Sequence, residues 1–476
     1  MRLAILLLCL IVISCERVSV APFPLEPCHL DGLAEEVRCG SHEVFEDRVT
    51  AAGRRLDIHV AVLPALRRLV DPDPLFIMAG GPGQGATGMA GAAARFFKKI
   101  RRSRDIVLVD LRGTGRSAPL RCPDAGDDLT FTAEIAAAQV RECRDALAAD
   151  ARLYTHAESL ADLDEIRQRL GYPAINLWGG SWGTRAALLY ALRYPDATRS
   201  VVLDGSVPLD LGFPRTASVS AAAALEHLIA DCAADEDCRR AFPNPPALLR
   251  RLTDRFAAGP VTVHLKHPRS GSPVTAAFTL DMVTEIIRGA LYRPRDAAAV
   301  FAATAQAADG DLAPLAAQYL RTASWSVDDM TLGATYAILC AEDLPRTAGA
   351  DFANDAKGSF FRTTYADGWR ARCAEWPAGK GIDIGGARLS RAPALILSGG
   401  HDPVTPPATG AAMARHFSTS WQVTVPGAAH NTSLSGCVPD LIAAFIARGS
   451  GDGLDTACVN RVAWPAFAVS TAGSRP

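Results

Sequence analysis

At 476 residues the chain has room for two or three average domains, or for one large α/β domain carrying a big insertion. Its 49% hydrophobic and 21% charged residues are those of an ordinary globular protein. A formal net charge of -2 leaves no basic excess for a phosphate backbone, so nucleic acid is not an expected partner.

In chain order, Arg2 precedes an apolar run from Leu3 to Ile13. The run has the length of an export-signal core and is too short to cross the roughly 30 Å of bilayer hydrocarbon. Val12-Ile13-Ser14-Cys15 resembles a bacterial lipobox, whose processing leaves the cysteine as a lipid-carrying N-terminus; ordinary signal cleavage nearby is the alternative. A lipid on Cys15 is the one membrane attachment expected, since no other segment approaches 18 uninterrupted apolar residues. Of twelve cysteines, Cys9 and Cys15 belong to this leader. The other ten fall into sequence-close pairs, and the simplest expectation is five sequential disulfides: Cys28 with Cys39, Cys122 with Cys143, Cys232 with Cys238, Cys340 with Cys373, and Cys437 with Cys458. Free buried thiols are the alternative. No C-x-x-C or H-x-x-x-H spacing suggests zinc, and no metal is expected.

After a proline-rich lead from Ala21 to Pro27, His42 to Phe45 and the alternating run Leu56 to Leu63 predict two antiparallel strands. Then the pattern alternates: strand Leu75 to Met78, helix near Gly91 to Ile100, strand Ile106 to Val109, and alanine-rich helices within Ala133 to Leu170. Strand Ala174 to Leu177, helix Thr184 to Tyr194 and strand Ser200 to Leu203 continue it. This rhythm implies right-handed βαβ units, hence a mostly parallel sheet with helices on both faces. Between about Pro208 and Arg391 the pattern is mainly helical, broken by Pro260 to Leu265 and by turns. The alternation resumes with strand Ala394 to Leu397, helix Ala408 to Phe417, strand Trp421 to Val425 and helix Pro439 to Ala447. The expected organisation is a leader at 1–15, an α/β core at 16–207 and 391–476, and a large helical cap inserted at 208–390.

Two readings compete for the glycine loop after the strand Leu75 to Met78. Gly83, Gly85 and Gly88 fit the dinucleotide fingerprint G-x-G-x-x-G, with Asp105 or Asp110 near the spacing of a ribose-binding acid. The same backbone amides could equally hold an oxyanion. The second reading gains from Gly179-Gly180-Ser181-Trp182-Gly183, which lies between a predicted strand and a predicted helix as a nucleophile elbow does. A serine hydroxyl needs a histidine base held by a carboxylate, arriving in the order serine, acid, histidine. Asp402 and His430 each follow a predicted strand at its carboxyl end and complete that order. Asp204 is the rival acid, because it too ends a strand; His401 competes with Asp402 for loop space, and His416 falls in a helix. The oxyanion donors are then the amide of Trp182 and one from the loop at Gly80, with Gly81 favoured over Gly83 because Pro82 has no N–H. The dinucleotide reading explains neither the elbow nor the histidine, so no cofactor is expected.

The ordered motifs GGPGQG, DLRGTGRS at Asp110 to Ser117, GGSWG, HDPVTPP and GAAHNT resemble those of α/β-hydrolases of the proline iminopeptidase and tripeptidyl aminopeptidase family. The resemblance covers nearly the whole mature chain, including a tripeptidyl-aminopeptidase-like region from about Cys340 onward. Prolyl aminopeptidases usually have histidine before G-G-P-G where this chain has Ala79, a departure toward the exported tripeptidyl branch. The resemblance implies that acidic side chains of the cap bind the α-amino group of a peptide substrate, and Glu342 and Asp343 are the candidates, with a solvated acidic turn as the alternative. Asp110 and Arg112 are expected to fix loop geometry. The expectation is an exported serine hydrolase acting on peptides with free N-termini; an esterase using the same triad, or a binding protein on a decayed hydrolase fold, are the other readings.

Overall fold

The computed structural model describes residues 23–123, 133–267, 270–318, 330–382 and 389–470, and the expected export leader with Cys15 lies outside them. Nine strands form one sheet: β1 (Glu26–Cys28), β2 (Val37–Asp47), β3 (Ala52–Leu63), β4 (Leu75–Met78), β5 (Ile106–Val109), β6 (Ile175–Gly180), β7 (Thr198–Asp204), and, past the cap, β10 (Ala394–Gly399) and β11 (Ser420–Val425). Their order across the sheet is β1-β2-β3-β5-β4-β6-β7-β10-β11. The first three strands and the β3 to β5 pairing are antiparallel, and every pairing from β5 to β11 is parallel.

The strand sequences explain which parts are buried. β4, β5 and β6 are buried at every position, as expected of parallel strands covered by helices on both faces, whereas β2 mixes buried, half-buried and exposed residues. Alternate side chains of one strand feed two separate cores. Phe76 and Met78 of β4 pack with Val107, Leu177 and Leu203 under the helices His156–Arg169 and Trp182–Arg193. Leu75 and Ile77 pack with Leu108 and Leu395 against the helices Ala90–Phe96 and Val438–Arg448. Each such side chain contributes about 1.5–3 kcal/mol by leaving water.

Between β7 and β10 the chain is mainly helical, beginning with the helix Phe213–Ala234, and has its own core around Leu225, Leu252, Ile287 and Phe301. The run expected to interrupt it is one arm of an antiparallel hairpin, β8 (Val261–Lys266) with β9 (Pro273–Phe278). The single helix expected near Gly91 to Ile100 is divided at Phe97 into Ala90–Phe96 and Lys98–Arg101. All five expected cysteine pairs are joined as disulfides. Among the described residues no helix is long and apolar enough to cross a membrane.

Candidate active site

β6 ends at Gly180 and the next helix begins at Trp182, leaving Ser181 at the junction with φ 53° and ψ -120°. A residue with a Cβ adopts this conformation only when its surroundings impose it. Here the Ser181 amide donates to the Asp204 carbonyl at 2.7 Å, and the Ser181 carbonyl accepts the Thr184 hydroxyl at 2.6 Å. The flanking glycines have a steric cause: a Cβ on Gly183 would stand 2.0 Å from the Met78 carbonyl oxygen, and one on Gly179 would stand 2.4 Å from that of Gly183.

Asp402 follows β10 and His430 follows β11. Nδ1 of His430 lies 2.8 Å from Oδ2 of Asp402, which also accepts the Thr405 hydroxyl at 2.8 Å. Oδ1 of Asp402 accepts the amides of Val404 and Thr405, each at 2.8 Å. With Nδ1–H given to the carboxylate, Nε2 is left as the basic nitrogen. Complete burial pushes the Asp402 carboxyl up, but the His430 ring and the amides outweigh it and hold it below the ordinary carboxylate range. Burial pushes His430 down, and Asp402 outweighs it, leaving the ring above its ordinary value. A Cβ on Gly205 would stand 3.2 Å from Cε1 of His430, and Gly205 follows the residue whose carbonyl holds Ser181. The ring and the serine therefore converge at the carboxyl ends of β6 and β7.

Asp204, the rival acid, has other work. Its side chain is fully buried; Oδ1 accepts the amide and hydroxyl of Thr432 at 2.8 and 3.0 Å, and Oδ2 accepts the Ser433 amide at 2.6 Å. It ties the turn after His430 to the end of β7. Burial pushes its carboxyl above the ordinary range despite these donors. His401 points away from the pair, with Nε2 2.5 Å from Asp231 and Nδ1 3.0 Å from the Pro426 carbonyl. His416 lies beyond the helix Pro407–Ala414, and burial pushes its ring down.

The glycine loop meets the serine. A Cβ on Gly80 would stand 3.3 Å from that of Ser181. Gly81, at φ 111°, gives its amide to no backbone acceptor among the described residues, and the amide of Trp182 is the first of its helix and has no acceptor within it. Asp110 takes the Thr87 amide and hydroxyl and the Arg116 amide, and Arg112 is enclosed by Asp162 and the carbonyls of Phe45, Glu46 and Leu153. Asp105 takes the Ala65 amide and the Tyr172 hydroxyl. The acids that a ribose would need are thus engaged within the protein.

Glu342 and Asp343 lie in the wide π turn Leu339–Asp343, and both are buried. Asp343 pairs with Arg185 at 2.8 Å and accepts the Phe213 amide at 3.1 Å. Arg185 itself lies over the Trp182 ring, 4.4 Å from its centroid. Asp343 is therefore an internal counter-ion, which corrects the expectation that it faces a substrate amine. Glu342 accepts the amide of His156 at 2.9 Å and faces its Nδ1 at 2.7 Å, and the His156 ring stacks on Trp182. Burial pushes Glu342 up, but His156 outweighs it and holds the carboxyl below the ordinary range.

The cap adds residues that the sequence did not single out. The Tyr292 carbonyl accepts the His430 amide at 3.3 Å, and its ring packs edge-on against the imidazole with centroids 5.2 Å apart. Arg288 donates to the Tyr292 hydroxyl at 3.1 Å and to Oε2 of Glu285 at 2.9 Å, while Oε1 of Glu285 is buried without a hydrogen-bond partner among the described residues. Glu285 and Arg288 are three apart on the helix Leu280–Ala290, a spacing indistinguishable in sequence from an ordinary surface pair. Trp182, Val207, Phe213 and Val404 form an apolar cluster with Tyr292 and Tyr365 at its edge, joining the neighbours of Ser181, Asp402 and His430.

A family model described as alpha/beta hydrolase fold matches residues 73–436. The serine protease Hip1 of Mycobacterium tuberculosis is 26% identical over 438 residues, covering 83% of each chain. The proline iminopeptidase of Neisseria meningitidis is 31% identical over 137 residues, 28% of this chain and 34% of that one. Among solved structures, that of the Mycobacterium smegmatis proline iminopeptidase aligns with a TM-score of 0.40 at 18% identity, over 86% of this chain and 97% of that one.

Proposed function

The chain belongs to the α/β-hydrolase fold family and is a serine hydrolase, and from that premise we propose that it is an exported peptidase that cleaves its substrates from a free N-terminus. Ser181 Oγ attacks the scissile carbonyl as Nε2 of His430 takes its proton, and Asp402 orients the ring and stabilises its charged form. The amides of Trp182 and Gly81 receive the oxyanion. His430 then protonates the leaving amine, and a water activated by the same ring releases the acyl group from Ser181.

The observation that carries the exopeptidase reading is the buried Oε1 of Glu285, which has no hydrogen-bond partner among the described residues although Oε2 pairs with Arg288, and which lies three contacts from His430 through Arg288 and Tyr292. A buried carboxylate oxygen with no donor is costly and is relieved by a cation. A substrate α-ammonium supplies one. Glu342, held ionised by His156, whose ring stacks on Trp182, adds a second buried negative charge, and Asp343 is spent on Arg185. The names of the relatives support peptides as substrates, and the five disulfides support an oxidising, exported setting.

The test compares a free tripeptide p-nitroanilide with its N-acetylated twin, with Ser181→Ala as the blank. Strong preference for the free amine is expected. Equal cleavage of the two, or rapid hydrolysis of short acyl esters with neither anilide cut, would replace the reading by an esterase.

A further inference from the structure

The end of the sheet opposite the catalytic loops carries a surface that neither the fold nor the reaction uses. The loop from Pro64 to Pro74 leads into β4, and the turn from Arg101 to Asp105 leads into β5, so both lie at the amino ends of parallel strands. Ser181, Asp402 and His430 follow the carboxyl ends of β6, β10 and β11. The loop and the turn are joined into one ledge: the amides of Leu66, Arg67 and Asp71 donate to the carbonyls of Arg101, Arg102 and Ser103 at 2.8, 3.0 and 2.7 Å.

On this ledge Leu66, Leu69 and Val70 are 56%, 89% and 48% exposed. Around them Arg67, Arg68, Lys98 and Arg102 are exposed and have no ion-pair partner among the described residues. The acids nearby are already engaged, Glu35 with Arg101, Asp71 and Asp73 with Arg104, and Asp440 with Lys99. Leucines held outward on hydrogen-bonded backbone among uncompensated cations match one chemistry. In a bilayer surface with anionic headgroups, apolar side chains enter the boundary with the acyl chains while guanidinium and ammonium groups meet phosphates.

We propose that this ledge docks the protein on an anionic lipid surface, with the catalytic end facing away from it. The chain outside the described residues agrees with this placement. Eight residues lead from Cys15 to Phe23, a reach of at most about 26–29 Å. Phe23 and Pro24 lie against Gly40 of β2, whose partner Val60 is three residues from the end of β3, where the ledge begins. A lipid on Cys15 and the ledge can therefore meet one membrane plane, and a basic patch is the kind of second signal that makes a reversible lipid anchor stable.

The test is co-sedimentation of the chain lacking residues 1–15, which retains every described residue, with vesicles of phosphatidylglycerol and phosphatidylcholine or of phosphatidylcholine alone. Binding to the anionic vesicles only is expected, weakening as salt rises. It falls at least about tenfold in Arg67→Gln/Arg68→Gln/Lys98→Gln/Arg102→Gln and in Leu66→Ser/Leu69→Ser/Val70→Ser. Both variants should keep the parent melting temperature and the parent rate of fluorophosphonate labelling at Ser181. No binding to anionic vesicles, binding undiminished in both variants, or dimerisation in ultracentrifugation that the leucine variant abolishes would each overturn the proposal, the last by giving the ledge to a second copy of the chain.

Discussion

The carbonyl of Asp204 holds the amide of Ser181 at 2.7 Å, while the carboxylate of the same residue holds the amides of Thr432 and Ser433 beyond His430. One residue at the end of β7 thus sets the nucleophile and the base in a common frame without touching the transferred proton. Asp204→Asn keeps the size but turns an N–H donor toward donors that Asp204 accepts, so it should cost about 1–3 kcal/mol of stability. Its turnover should fall by about tenfold, through displacement of His430. Asp402→Asn should instead lose about 10⁴-fold in turnover, through loss of the counter-charge to His430. Thermal melts and kcat for the two variants check this, and equal losses of kcat would mean that Asp204 shares the charge-stabilising role.

The opposed shifts of Asp402 and His430 fix the sign of the pH dependence. The base must be the neutral ring, so kcat/KM falls as pH drops through the folded-state pKa of His430. That value is raised, so the acid limb should lie above the ordinary 6.5. In Asp402→Asn the counter-charge is lost and the limb should move to lower pH. For stability, the contribution of the raised His430 is full below 6.5 and is lost as pH rises through its folded value. That of the lowered Asp402 is full above 3.8 and is lost as pH falls through its folded value. A limb that stays in place in Asp402→Asn would separate the two groups energetically.

The elbow glycines give a steric prediction with an internal control. In Gly183→Ala the new Cβ meets backbone, the Met78 carbonyl of the adjacent strand, which cannot swing aside as a side chain can. Destabilisation at the upper end of about 1–3 kcal/mol, with loss of activity, is expected. Gly88→Ala has nothing within 4 Å of its new Cβ and should leave both melting temperature and turnover unchanged.

Much of this was legible because it is local. The strands Leu75 to Met78 and Ile106 to Val109 are bounded as their apolar runs are, and the elbow announces itself in five residues. Ser181, Asp402 and His430 each follow a strand, and the parallel sheet gathers strand ends at one edge, so their order in the sequence already suggested a common site. The remainder depends on partners far apart in the chain. Nothing near Asp343 reveals that Arg185, 158 residues away, takes its charge, and nothing near Glu285 reveals that one oxygen stays free. Proline at position 27 hid the short β1, and exposed, weakly alternating residues hid β9.

The three acids make the division between recognition and architecture measurable. Glu285→Gln keeps a hydrogen-bonding group but removes the charge, and a charged hydrogen bond contributes about 1.5–3 kcal/mol. The kcat/KM for the free tripeptide anilide should therefore fall about 10–100-fold, chiefly through KM, with no change for its N-acetylated twin. Glu342→Gln should act in the same direction, and the pH limb of His430 should not move in either variant. Asp343→Asn should behave differently, because its pair with Arg185 is fully buried whereas that of Glu285 with Arg288 keeps some exposure, so it strands a guanidinium in the protein interior. Breaking a buried pair from one side costs about 3–5 kcal/mol, so the melting temperature should drop while the preference for a free amine survives in whatever protein remains folded. If Asp343→Asn instead erased that preference at unchanged stability, the amine would be read at the π turn and not at Glu285.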